Sequence, residues 1–88
     1  MVSRNFKIIN RLGLHARAAS QLVKIANEFS AEVTLVKDDV EVNGKSIMGI
    51  LLLAAPQGTD LEVRVEGADE EAAMAAVAQL IEDGFGED

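Results

Sequence analysis

The chain of 88 residues contains no cysteine, no tryptophan and no tyrosine, and only one proline and one histidine. Without cysteine there are no disulfides, no redox thiols and no thiolate ligands for a metal. Zinc normally takes three or four protein ligands, and a lone histidine offers too few, so no metal site and no cofactor are expected. Nucleophilic hydrolysis is excluded on similar grounds, because no local motif sets a serine beside that imidazole. Long hydrophobic runs are missing as well. The longest, Ile50 to Ala55 with its neighbours, is far too short to span a bilayer. Met1-Val2-Ser3-Arg4-Asn5 runs straight into a strand pattern and lacks the apolar stretch of a signal peptide, so a cytoplasmic location is expected.

Acidic residues are absent from the first part of the chain. Through Asn27 there are Arg4, Lys7, Arg11, Arg17 and Lys24 and no acid; from Glu28 onward there are three bases and fifteen acids. The two parts carry +5 and −12, which give the net −7. Such a division predicts an anionic ligand or an acidic partner surface near the basic part, with electrostatic steering of encounter. Nucleic acid fits poorly, since the acidic remainder would repel it and no basic patch is interleaved with aromatics.

The single histidine, His15, stands in Gly13-Leu14-His15-Ala16-Arg17-Ala18-Ala19, where a glycine turn becomes a helix. The first turn of a helix has N–H groups without intrahelical partners and, with the helix dipole, favours an anion. Neutral imidazole is a nucleophile near neutral pH, so a histidine here can carry a phosphoryl group covalently. Arg17 adds a fork of donors suited to phosphoryl oxygens. The plainer alternative is a solvated surface histidine with no task.

The length suits one domain over 1–88, burying roughly 60–65% of the surface of its unfolded chain. Val2, Phe6 and Ile8 fall on one side of a first strand, and Leu14, Ala18, Leu22, Ile25 and Phe29 have helical spacing. Residues 31–37 and 40–42 alternate around Asp38-Asp39 as a hairpin. Ser46 precedes the apolar run Ile47 to Ala55 and can cap a helix there; Leu61, Val63 and Val65 alternate with charges in the clearest strand. Asp69 reads as the cap of a last helix whose stripe is Ala73, Ala76, Val77, Leu80 and Ile81. Gly84 suits a left-handed position with Phe85 folding back, and the last residues are expected to fray. The order β-α-β-β-α-β-α predicts an α+β open-faced sandwich, a four-stranded antiparallel sheet with three helices on one face.

The helix after Ser46 is apolar all round. Helical spacing assigns Ile50, Leu53 and Ala54 to the core and leaves Ile47, Met48, Leu51 and Leu52 as a candidate partner-binding patch, with deep burial the alternative for Leu52. A phosphate on Ser46 would be tolerated at a helix start and would set about two negative charges beside that patch.

Gly13-Leu14-His15-Ala16-Arg17 and Gly44-Lys45-Ser46-Ile47-Met48-Gly49 together resemble the active-site and regulatory-serine motifs of the HPr family, the histidine-containing phosphocarriers of the bacterial phosphotransferase system. The resemblance covers essentially the whole chain. It implies a carrier and not an enzyme: His15 would accept a phosphoryl group through Nδ1 from phosphorylated enzyme I and pass it to IIA proteins or domains, with Arg17 helping to hold it. It further implies Ser46 as the target of an HPr kinase/phosphorylase in some bacteria. Ile47, Met48 and Leu51, with Ala16, Ser20 and Lys24, match the surface that members present to enzyme I and IIA. Ala18 departs from the proline that many members carry. The ending Asp83 to Asp88 resembles the nitrogen-branch paralogue, whereas Gly44 to Gly49 resembles the sugar-branch carrier. A small monomer is expected. Two other readings stand beside the carrier: a regulatory adaptor acting through phosphorylated Ser46, and a plain interaction domain.

Overall fold

A computed structural model describes residues 1–87. Its elements are β1 (Val2–Lys7), α1 (Ala16–Ala26), β2 (Glu32–Lys37), β3 (Val40–Asn43), α2 (Ile47–Leu53), β4 (Asp60–Glu66) and α3 (Glu70–Glu82), followed by a 3-10 turn at Gly84–Gly86. The four strands form one antiparallel sheet in the order β1-β4-β2-β3. Alternation in each strand sends Phe6, Val33, Leu35, Leu61, Val63 and Val65 to one face, where they are buried. All three helices lie on that face, as the sequence predicts. Leu22 and Ala26 of α1, Ile50 and Leu53 of α2, and Ala73, Val77 and Ile81 of α3 close the core. The opposite face carries Thr34, Glu62 and Arg64, with Arg64 Nε donating to Glu62 at 2.9 Å. An exposed pair of this kind adds little stability.

Four details differ from the sequence reading. Ala54 is exposed, because it ends α2 in the left-handed conformation (φ 50°) and turns Ala55 into the core instead. Asp69 stands at the start of α3 but does not cap it. Its carboxylate accepts from the N–H groups of Ser30 and Ala31, both at 2.8 Å, and ties the loop after α1 to α3. The Ser30 N–H is the leading cause that holds Asp69 below the usual carboxylate pKa. On α3 the buried stripe includes Met74 and Ala78, while Ala76 and Leu80 are half-buried. Finally, Glu87 does not fray: it packs against the first loop, and Asp88 lies outside the described residues.

That first loop is positioned by one close approach. Gly13 has φ +66°, and a Cβ built on it would stand 2.4 Å from the carbonyl oxygen of Ala55 and 2.8 Å from Cα of Pro56. Leu14 N then donates to Ala55 O at 2.9 Å, anchoring the loop to the end of α2. Glycine alone satisfies both the left-handed backbone and the missing space. Replacing it, Gly13→Ala, is expected to lower stability by at least about 1–3 kcal/mol from the left-handed backbone alone. A drop in the urea midpoint with an unchanged slope would report it.

Candidate functional site

His15 occupies the N-cap position of α1 with extended backbone (φ −80°, ψ 179°), and its side chain makes no capping bond. The first intrahelical bond runs from Ala19 N to His15 O at 2.8 Å, so the N–H groups of Ala16, Arg17 and Ala18 precede it and share the positive end of the helix dipole. No acidic residue occupies this first turn. The ring is partly open, with 26% of its side-chain surface exposed.

The ring's Nε2 lies 2.6 Å from Oε2 of Glu87, a residue 72 positions away in sequence. The other oxygen of the same carboxylate accepts from Asn10 Nδ2 at 3.0 Å, and Asn10 Nδ2 also donates to Gly13 O at 2.8 Å. The Asn10 bond is the first cause of a lowered Glu87 pKa, with His15 and then Arg17 adding to it. Glu87 is therefore a carboxylate at neutral pH, and a carboxylate only accepts hydrogen bonds. The proton in the His15–Glu87 contact accordingly belongs to Nε2. Among the described residues no protein group bonds Nδ1, the nitrogen that carries the lone pair when the ring is neutral and its proton is on Nε2.

Arg11 and Arg17 line an open depression of about 370 Å³ together with Leu12, Gly86 and Glu87. Two of the five basic residues of the first part of the chain thus gather beside Glu87, the carboxylate that contacts the imidazole. Arg4 and Lys7 do not; they lie on β1, paired with Glu82 at 3.4 Å and Asp60 at 3.1 Å. Ala16, Ser20 and Lys24 recur every four residues along α1 and are all exposed. Helix α2 packs beside α1, and a second shallow depression joining Leu12, Leu14 and His15 to Ala54, Ala55 and Pro56 links the imidazole to its end.

On α2 the exposed residues are Ile47, Met48, Leu51 and Leu52, with Met48 70% and Leu52 76% accessible. The division predicted by helical spacing holds for all four. For Leu52 it decides between exposure and burial. Ser46 caps this helix, its Oγ accepting from Gly49 N at 3.1 Å. Lys37 Nζ donates to the carbonyls of Leu53 and Ala54 at 3.1 and 3.2 Å at the other end.

Three residues of the site escape the sequence reading: Leu12, whose exposed side chain extends the apolar surface toward His15, and the polar pair Asn10 and Glu87. A phenylalanine flanked by glycines just before Glu87 is the one local sign that this segment turns back. Among the described residues no three potential ligands converge on a metal position.

Comparison with known proteins gives concordant results. A family model described as the PTS HPr component phosphorylation site matches residues 2–83. The phosphocarrier protein HPr of Neisseria meningitidis is 49% identical over 87 residues, 99% of this chain and 98% of that protein. That of Xylella fastidiosa is 48% identical over 88 residues, 100% and 99% of the two chains. The crystal structure of HPr-C-His from Thermoanaerobacter tengcongensis superposes with a TM-score of 0.96 at 44% identity, covering 100% of this chain and 99% of the other.

Loss of the cap at α2 has a defined consequence. Ser46→Ala should lower stability by about 1 kcal/mol, measured by denaturant unfolding, because Gly49 N loses its acceptor.

Proposed function

The chain belongs to the HPr family of phosphocarriers, and from that membership we propose that His15 takes a phosphoryl group from phosphorylated enzyme I on Nδ1 and delivers it to IIA proteins or domains. The observation that carries this reading is the setting of the imidazole: Nε2 faces the Glu87 carboxylate at 2.6 Å, and among the described residues nothing bonds Nδ1 of this N-cap residue of α1. A phosphoryl group on Nδ1 would sit near unpaired N–H groups of the first turn, a standard anion site. Arg17, on the adjoining surface, would add charge-assisted bonds to its oxygens. The chain supplies the carrier atom; the chemistry of making and using the phosphoryl group belongs to its partners.

Docking would use the exposed faces of the two helices. Ala16, Ser20 and Lys24 on α1 and Ile47, Met48 and Leu51 on α2 offer an apolar centre bordered by basic groups, which fits a partner with an acidic rim. A phosphate on Ser46, placed by an HPr kinase/phosphorylase, would set negative charge at the margin of that surface and weaken such a partner. The nitrogen-branch or Ser46-dependent adaptor role remains the second reading, favoured by the same placement of Ser46 at the edge of the patch.

The intact mass of the protein after incubation with enzyme I and phosphoenolpyruvate tests the carrier role. One phosphoryl group should be gained, lost on brief acid treatment and absent from His15→Ala; an unmodified wild-type mass beside an active enzyme I defeats it. For the docking surface, Ser46→Asp keeps a good helix cap while adding charge, and Ser46→Asn keeps the cap alone. Transfer from enzyme I should slow in Ser46→Asp and stay near wild type in Ser46→Asn, read as initial rates at subsaturating carrier.

A further inference from the structure

The contact between His15 and Glu87 does more than fill space. Building on the carrier role above, we infer that Glu87 is a positioning residue for phosphoryl acceptance: its carboxylate holds the proton on Nε2 of His15 and so keeps the lone pair on Nδ1.

Three observations converge on this. The carboxylate is held from both sides, Oε2 facing the imidazole at 2.6 Å and Oε1 taking an N–H of Asn10 at 3.0 Å. Asn10 is itself buried, 1% exposed, and both amide hydrogens are committed, one to Glu87 and one to Gly13 O at 2.8 Å. Its Oδ1 has no partner among the described residues, so the amide is oriented for these two acceptors rather than for its own full satisfaction. The backbone that delivers Glu87 is also unusual: Gly84, Phe85 and Gly86 have φ of +63°, +58° and +72°, and Phe85 is 2% exposed. A non-glycine residue persists in that conformation only where its surroundings fix it. Burial of the Phe85 ring anchors the turn, and the turn presents Glu87 to the imidazole.

The chemical step balances without any further reactant. The Nδ1 lone pair attacks phosphorus and forms the N–P bond, while the donor's bond to phosphorus breaks and its electron pair returns to the donor atom. The ring keeps its Nε2 proton and becomes a phosphoimidazolium, whose new positive charge faces the Glu87 carboxylate. A carboxylate behind a reacting imidazole acts in this way when it fixes the tautomer and stabilises the cation without taking the proton. Arg17 and Arg11, lining the same depression as Glu87, balance its charge toward an incoming phosphoryl dianion.

The geometry distinguishes two substitutions. In Glu87→Ala the ring loses its acceptor and both neutral tautomers are populated. In Glu87→Gln the Asn10 N–H claims the glutamine oxygen, which turns the glutamine N–H₂ toward the ring and transfers the imidazole proton to Nδ1. Long-range ¹H–¹⁵N spectra of the neutral imidazole should show a protonated Nε2 in the wild type, a mixture in Glu87→Ala and a protonated Nδ1 in Glu87→Gln. Rates of phosphoryl acceptance from enzyme I should follow the order wild type, Glu87→Ala, Glu87→Gln, with the alanine variant roughly tenfold slower through loss of one charge-assisted hydrogen bond to the cationic ring and the affinity for enzyme I unchanged. A wild-type ring not protonated at Nε2, or variants that accept phosphoryl groups as fast as or faster than the wild type, would overturn the inference. Failure of the wild type to gain phosphate would instead count against the carrier role, and the tautomer spectra would still decide the positioning geometry.

Discussion

The seat of Gly13 on Ala55 and Pro56 is the contact through which the rest of the site is organised. It lets the first loop lie flat against the end of α2, where Leu14 N reaches Ala55 O, and this fixes the direction in which α1 begins. His15 is the residue at that beginning, so its placement follows from a missing side chain two positions earlier. Asn10 closes the loop from the other end through Gly13 O and reaches Glu87 with its second hydrogen. A single backbone approach thus sets the helix start, the apolar neighbour and the carboxylate around one imidazole.

Charge is distributed over the molecule in keeping with this arrangement. The acids that give the chain its net −7 lie mainly on the open sheet face and on α3, where the described ion pairs, such as Arg64 with Glu41 at 3.5 Å, are exposed. The surface around His15 holds Arg11, Arg17 and, along α1, Lys24, with Glu87 the acid that contacts the ring. A partner approaching along α1 therefore meets local charge opposite in sign to the net charge, an effect that acts over roughly the Debye length of about 8–10 Å.

Much of this was legible in the sequence, because local rules and tertiary packing agree over most of the chain. Alternation in residues 61–65 specified a half-buried strand, Ser46 before an apolar run specified a capped helix, and Gly13 ahead of His15 specified a turn feeding a helix. Where the reading failed, either a long-range partner outcompeted a local one or the exit from a helix reset the pattern. Asp69 had a helix start at hand but bonds instead to two N–H groups nearly forty residues earlier. Ala54 had an apolar pattern behind it, yet the exit from α2 required a left-handed residue and Ala55 took the core position. Glu87 looked like a fraying end because nothing within its own neighbourhood explains it; its partners are Asn10 and His15, brought near only by the closed fold. Family resemblance could point to His15, Arg17 and Ser46, but the Asn10–Glu87 link depends on side-chain directions that no linear motif encodes.

The span of 72 residues between His15 and Glu87 bears on how the molecule assembles. A contact between segments so far apart carries a large loop-closure cost unless the intervening elements have already drawn its ends together. The pairing of β1 with β4 and the turn at Gly84–Gly86 after α3 bring the two segments together, so the carboxylate reaches the ring through the fold and not along the chain. The acceptor environment is in this sense a product of the whole chain's folding, and the integrity of the ring's surroundings depends on the elements that join the two ends.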